Sequence, residues 1–326
     1  MNTLLTYSPD NDKKFFSSLK FKLGDSNLQI SAITLAGRRE ADSPQKPNED
    51  AFSITVLNNT LLAALFDGTS SLKPIASLKD QTVARFASHF LKNAFESNIK
   101  RQTPKKIIRE LTKLLLEKSL QFDGATLSDT HTLPASTATI VQIDPKEGKI
   151  NLSHVGDSFC MVFYKDGHSE FVTVDRNRVY DDQILGLIKQ IAKEKNITPK
   201  EARQDEKVKH ALLDMFQDSH NKSDGTGQGL LNGDPNVEQY IQDISLPLEP
   251  IESTFLGSDG IIPPGYDEQT ENDREKIHTL LKNGGLEELI RVKSEIEDND
   301  PDRNLVRYKH ADDATGIFME LIPESF

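Results

Sequence analysis

The sequence carries a single cysteine, Cys160, which excludes an internal disulfide and any metal site built on clustered thiolates. A thiolate phosphatase mechanism is excluded too. It requires an arginine six residues after the cysteine, and that position is Asp166. Cys160 is therefore read as a packed strand residue. Basic residues are also in short supply, 39 Lys and Arg against 51 Asp and Glu, which gives a formal charge of −12. That balance argues against a nucleic-acid partner. Long apolar runs are missing: Leu61 to Phe66 is the longest, far below the roughly 18 residues of a membrane span. Residues Met1 to Tyr7 turn polar at once, without a charged region leading into an apolar one. They predict no secretory signal and a cytoplasmic protein, with signal-independent export left open. The eight histidines show no His-Glu-x-x-His spacing for zinc.

What is present is a change of hydrophobic period along the chain. Residues 1–27 are polar and mixed and read as an N-terminal extension to a domain over 28–326. Alternation over Leu28 to Ala36 predicts a half-buried strand, and Ala51–Leu57 and Leu61–Phe66 predict a hairpin around Asn58-Asn59. Val83, Phe86, Ala87, Phe90, Leu91 and Ala94 form a helical stripe, and Thr103-Pro104 opens a second helix. Strands at Ser136–Ile143, Lys149–Val155, Ser158–Tyr164 and Glu170–Val174 read as antiparallel sheet.

Residues 182–217 are helical in pattern and include a capping box, Thr198-Pro199-Lys200-Glu201. They belong to a divergent segment, about 176–247. Asn221 to Asn236 is predicted to be a mobile surface loop; its Gly225-Thr226-Gly227-Gln228-Gly229 has neither the preceding strand nor the closing Lys-Ser/Thr of a phosphate loop. A strand at Ser253–Gly257, charged helices over 271–297 with solvated faces and a last strand at Thr315–Leu321 follow. Sheets covered by helices, the α+β class, are the expected architecture.

Aspartates recur at the ends of apolar strands. Leu61 to Phe66 runs into Asp67-Gly68, and Thr254 to Ser258 runs into Asp259-Gly260. Asp157 lies at a turn between two strands, and Asp312 precedes the last one. Glycine after the acid lets the main-chain carbonyl approach a cation. A single Asp-Gly is an ordinary turn. Several carboxylates with no basic neighbours would repel one another without a cation between them, and oxygen donors of this kind suit Mg²⁺ or Mn²⁺.

In this order the segments resemble the type 2C metal-dependent protein phosphatase family (PPM), from about Ile30 to Leu321. The matching pieces are Gly37-Arg38-Arg39 with Asn48-Glu49-Asp50-Ala51-Phe52, then Leu65-Phe66-Asp67-Gly68, Ala135-Ser136-Thr137-Ala138, Val155-Gly156-Asp157-Ser158, Leu256-Gly257-Ser258-Asp259-Gly260 and Asp312-Asp313-Ala314-Thr315. The resemblance implies a four-layer αββα sandwich with two central antiparallel β-sheets and a centre of two Mg²⁺ or Mn²⁺ ions. In it Asp67 would bridge both ions, Gly68 would offer its carbonyl, and Asp259 and Asp312 would hold one ion. Asp157 with Asp259 matches the family's optional third site, and Glu49 and Asp50 match its acidic pair that orders water.

The implied reaction is hydrolysis of phosphoserine and phosphothreonine in proteins by metal-activated water, with Asp67, Asp259 and a phosphate-binding arginine as the catalytic set. Arg39 keeps the better spacing from Gly37 and is preferred to Arg38. Three features depart from the family pattern: residues 40–47 are inserted between Arg39 and Asn48, Thr69 stands where many members have histidine, and Asp313 replaces a common asparagine. They keep two alternatives open, a relative that cleaves a phosphodiester such as a nucleotidyl group on protein, and a silent binding module of the same fold. Beyond a phosphorylated protein no partner is expected, neither nucleic acid nor membrane, and a monomer is the favoured state.

Overall fold

In the computed structural model, residues 5–7, 14–24, 26–44, 46–69, 75, 78, 81–98, 102–122, 126 and 133–322 are described. Two antiparallel sheets carry the chain. The first has seven strands, in the order β1 (Leu5–Tyr7), β4 (Asp50–Leu57), β5 (Thr60–Thr69), β7 (Ala138–Asp144), β8 (Lys149–Val155) and β11 (Gln242–Pro247), with the short β6 (Ala135–Ser136) paired to the end of β5. The second has six, in the order β10 (Ser169–Phe171), β9 (Phe159–Tyr164), β12 (Ile251–Gly257), β13 (Ala314–Ile322), β3 (Ser26–Leu35) and β2 (Phe15–Leu23).

The apolar run that predicted β5 is explained by its position. Successive side chains of a strand point to opposite faces, so Leu61 and Ala63 enter the core between the sheets with Ile30, Phe52, Val141 and Ile317. Leu62, Ala64 and Phe66 face the other way, onto Leu91 and Phe95 of α1 (Val83–Asn98) and Ile108, Leu111 and Leu115 of α2 (Pro104–Ser119). The second sheet repeats this arrangement: Cys160, Leu256 and Met319 point between the sheets, while Phe159, Phe255 and Phe318 meet Ile277, Leu281, Leu289 and Ile290 of α6 (Glu271–Asp298). Helix, sheet, sheet, helix is the four-layer order that the resemblance implies. Gly285, at φ +67°, breaks α6 into two segments, each with one apolar side on the sheet and charged sides in solvent.

Local signals hold where they involve special backbone. Asn58 and Asn59 both have positive φ and close the two-residue β4–β5 hairpin. Thr198 and Glu201 form the reciprocal capping box at α4 (Pro199–Ala202), which lies between α3 (Arg178–Lys195) and α5 (Glu206–Ser219). Thr103 stands at the N-cap of α2 ahead of Pro104, although its side chain makes no capping bond.

Two expectations are corrected. Residues 15–23, assigned by sequence to an extension, form β2 and pair with β3 over their full length; Phe15, Ser17, Leu19 and Phe21 turn inward, a period-two signal blurred by the Phe15-Phe16 and Ser17-Ser18 pairs. The 221–236 segment is packed, not a mobile loop on the surface: Asn221, Gln228, Leu230, Leu231 and Asn232 are buried. The Asn221 amide donates to Leu230 O and Asn232 Oδ1, and its carbonyl oxygen accepts from Leu230 N, which folds the segment around one buried side chain. Among the described residues no helix is long and apolar enough to cross a membrane.

Phe255 is fully buried and meets Phe159 edge-on, with centroids 5.4 Å apart. Truncation to alanine is expected to cost about 3–5 kcal/mol in urea unfolding, because a rigid sheet under α6 cannot collapse into the void; a cost below about 1 kcal/mol would show that this layer is loosely packed.

Candidate active site

Asp67 lies at the end of β5, directly across from Asp50 in the β4 ladder. Its main chain is clamped. Thr137 N and Ser136 Oγ donate to Asp67 O at 2.8 Å each, and Asp67 N donates to Thr137 Oγ1 at 3.3 Å. The Ser-Thr pair that marks the sequence motif thus fixes the acid's direction. The next residue must be glycine for a reason of packing: a Cβ on Gly68 would stand 2.2 Å from Ala84 O at the start of α1. Gly68 N donates to Glu49 O, so strand end, helix start and the Asn48-Glu49-Asp50 segment are locked together.

Asn48 organises that segment. It is buried, its amide donates to Thr34 Oγ1 at 2.6 Å, and its Oδ1 accepts from Asp50 N at 2.9 Å. Asp50 in turn accepts from Ser258 Oγ at 2.7 Å, and Ser258 Oγ also accepts from Thr315 N, which ties β4 to the ends of β12 and β13. The asparagine-to-aspartate departure at 313 has a visible counterweight. Asp313 accepts from Gly37 N at 2.6 Å and Glu49 N at 3.1 Å, and Lys46 of the inserted 40–47 segment pairs with it at 2.9 Å. Lys46 also reaches Glu49 at 2.9 Å. Burial alone would lower the Lys46 ammonium, but Asp313, Asp312 and Glu49 outweigh it and hold the lysine above its ordinary value.

Asp67, Asp157, Asp259, Asp312, Asp313, Glu49 and Gly68 line one cleft of about 360 Å³ at the shared end of the sheets. Burial, reinforced by Asp50 and Asp259, holds Asp67 well above the usual carboxylate range. Burial followed by neighbouring acids raises Asp157 to about 6, Asp259 to about 7 and Asp50 to about 8. Asp312 is the exception; burial would raise it, but Lys309, 2.7 Å from both its oxygens, and Lys46 bring it below the ordinary value. Among the described residues no three acid, histidine or cysteine side chains close on a single point. The donors are nonetheless hard oxygens whose mutual repulsion a divalent cation would relieve, so the residues present fit Mg²⁺ or Mn²⁺.

The arginines of the Gly37-Arg38-Arg39 motif stand elsewhere. Arg38 donates to Ala41 O and Asp298 Oδ1, each at 2.7 Å, and Arg39 is exposed; neither lines the cleft. The sequence placed the phosphate clamp at Arg39, but Lys46 N donates to Gly37 O and closes the inserted segment into a loop on which Arg39 is exposed and does not line the cleft. The cations that do line the cleft are Lys309 and Arg203, which sequence reasoning missed because neither lies in a motif. The divergent segment supplies further groups: Asn177 at the start of α3 donates to Asp157 at 3.0 Å and to Asp181 at 3.0 Å, and Tyr308 donates to Asp181 at 2.9 Å. His154 is buried and held near pKa 4 by desolvation. Its Nε2–H donates to Gly156 O and its Nδ1 accepts from Thr139, so it braces the turn that carries Asp157.

Two antiparallel sheets between helical layers, with an acidic cleft across their common end, are the architecture of metal-dependent phosphatases. The family model for Protein phosphatase 2C matches residues 39–283, well over half of the chain, and the protein therefore belongs to that family. It is a metal-dependent protein serine/threonine phosphatase. No curated protein matches by sequence. Similar solved structures are RsbX in complex with magnesium (14% identity, 94% of this chain and 100% of that one, TM-score 0.50), a bacterial serine phosphatase (18%, 91% and 99%, 0.52) and the serine/threonine phosphatase Stp1 from Staphylococcus aureus (17%, 94% and 98%, 0.52). At these identities the likeness is one of fold.

Two tests address the electrostatics. Asp157 and Asp259 titrate near 6 and 7 in the folded protein and near the ordinary 3.8 when unfolded, so between about pH 4 and 7 the native state binds more protons. Stability in EDTA should therefore fall as pH rises through that window, with a lower Tm at pH 8 than at pH 6; added Mn²⁺ should reverse the order, and an EDTA melting curve flat in pH would contradict it. Separately, Lys46→Met should destabilise the wild type more than it destabilises Asp313→Asn, with a coupling of about 1 kcal/mol or more in a double-mutant cycle.

Proposed function

We propose that this phosphatase hydrolyses phosphoserine and phosphothreonine monoesters on the cleft floor, with Asp67, the Gly68 carbonyl, Asp259 and Asp312 holding two Mg²⁺ or Mn²⁺ ions and Asp157 with Asp259 serving a third. The observation that carries this reading is the delivery of carboxylates from the ends of β5, β8, β12 and the start of β13 to one wall, where Asp67, Asp157 and Asp259 are all held above their ordinary pKa. When bound, the ions supply Lewis acidity to water and to the phosphoryl oxygens.

The chain's own residues orient and exclude. Ser136 and Thr137 fix the Asp67 main chain, and the Asn48 bend holds Glu49 at the cleft edge, where its carboxylate can orient water. Asp50, braced by Ser258, supports Asp67 from the neighbouring strand. Thr69 lines the cleft, and its hydroxyl is far too weak an acid to stand in for a histidine, so protonation of the leaving alkoxide falls to water. Cys160 takes no part: it is buried between the sheets, and burial pushes its thiol up to about 12.

Hydrolysis of p-nitrophenyl phosphate should require Mn²⁺ or Mg²⁺ and stop with EDTA. Asp67→Ala and Asp259→Ala should each lower kcat/KM by more than about 100-fold, above the range for a residue that only supports a ligand. Near wild-type rates in either variant would remove these two residues from the catalytic set.

A further inference from the structure

An acidic cleft poses a problem for its own substrate. A phosphomonoester is a dianion, and the floor it must approach is lined by carboxylates. Metal ions offset part of that charge, but the resemblance also calls for an organic cation, and both arginines of the expected motif lie outside the cleft. Lys309 and Lys46 are committed to Asp312 and to Glu49 and Asp313. The divergent segment supplies much of the remaining lining: Arg203, Leu212, Met215 and Phe216, with Asp181 and Leu230.

Arg203 differs from the arginines that carboxylates hold. Arg38, Arg109, Arg178, Arg291, Arg303 and Arg307 all have acidic partners within 4 Å. Among the described residues no carboxylate pairs with the Arg203 guanidinium, and its Nε is buried with no hydrogen-bond partner. Leaving a half-buried guanidinium with its buried Nε unpaired is costly unless something else completes it. Its main chain is nonetheless fixed. Arg203 follows the capping box of α4, its N–H donates to Pro199 O, and Ala202 next to it is fully buried against Ile188 and Val208. A positive fork with free donors, on a rigid turn in an apolar wall, is what bidentate recognition of a phosphoryl group requires.

We propose that Arg203 is the residue that grips the phosphoryl group of the substrate, in the role that the sequence pattern gave to Arg39. The inference rests on the phosphatase reading for its substrate, yet concerns binding that can be measured without turnover. The same packing that fixes Arg203 includes Val306 and Tyr308, which lead into Lys309 and Asp312, so the clamp and the metal-binding loop share one support. Substrate would be held between the acids and cations of the floor and the Arg203 guanidinium.

The test combines inorganic phosphate binding to the Mg²⁺-supplied protein, by calorimetry, with p-nitrophenyl phosphate kinetics. Arg203→Ala should weaken phosphate binding about 10-fold or more and lower kcat/KM at least as much, while Mn²⁺ affinity without phosphate and Tm stay close to wild type. Arg203→Lys, which keeps the charge but loses the fork, should fall between the two. The clamp is overturned if the wild type binds no phosphate, if Arg203→Ala keeps phosphate affinity within about twofold of wild type, if Mn²⁺ affinity falls in parallel, or if Arg39→Ala produces the loss instead. Wild-type phosphate binding that depends on Arg203 without any metal-dependent hydrolysis would leave the clamp standing and remove the catalytic reading; hydrolysis with Arg203-independent phosphate binding would do the reverse.

Discussion

Repulsion between carboxylates gathered at one end of two sheets is the constraint around which this protein is built. Burial first and neighbouring acids second raise the pKa values of Asp67, Asp157 and Asp259, and an isolated cluster of this kind would spread apart. The surrounding residues prevent it by fixing main chain, not by neutralising charge. Ser136 and Thr137 hold Asp67, His154 braces the Asp157 turn, and Ser258 bridges Asp50 to Thr315. A neutral hydroxyl or imidazole can direct a carboxylate-bearing strand end without removing the negative potential that attracts a cation.

Where neutralisation does occur, it is local: Lys309 holds Asp312, and a second pair comes from departures from the family pattern. Asp313 adds a negative charge, and Lys46 from the inserted segment meets it. Each change looks unfavourable alone; together they form a pair, with Asp313 also capping the N–H groups of Gly37 and Glu49. The divergent segment is organised in the same way. Helices α3 to α5 carry their own small core, which closes on Val306 and Tyr308, and they reach the floor through Asn177 and Asp181.

The elements legible in the sequence were those whose two faces differ or whose backbone demands a particular residue. The hairpin at Asn58-Asn59, the capping box at Thr198 and the helical stripe from Val83 all belong here. β11 was not read: it is an edge strand, with Ile244 and Leu246 half-buried between exposed polar positions, too weak a signal over six residues. The packed 221–236 segment was misread for another reason. Its composition is that of a loop, but buried Asn221 satisfies the segment's own backbone groups, and composition does not record which polar atoms find partners.

In the active site the acids were visible and the cations were not. Asp67 and Asp259 each follow an apolar strand run and precede glycine, a local pattern that can be read in the sequence. The reason for the glycine was only half visible: at Gly68 the space is taken by the start of α1, and at Gly260 by the main chain of Asp313. Sequence alone determined the α+β class, the strands that end in acids and the absence of cysteine chemistry, because these follow from period, turn residues and composition, while the four-layer order came from the family resemblance. Tertiary structure alone decided that Lys46 meets Asp313, that Arg39 stands outside the cleft and that Arg203 lines it. Those relations join residues far apart in the chain, and their geometry is set by how an insertion and three helices pack, which no local pattern encodes.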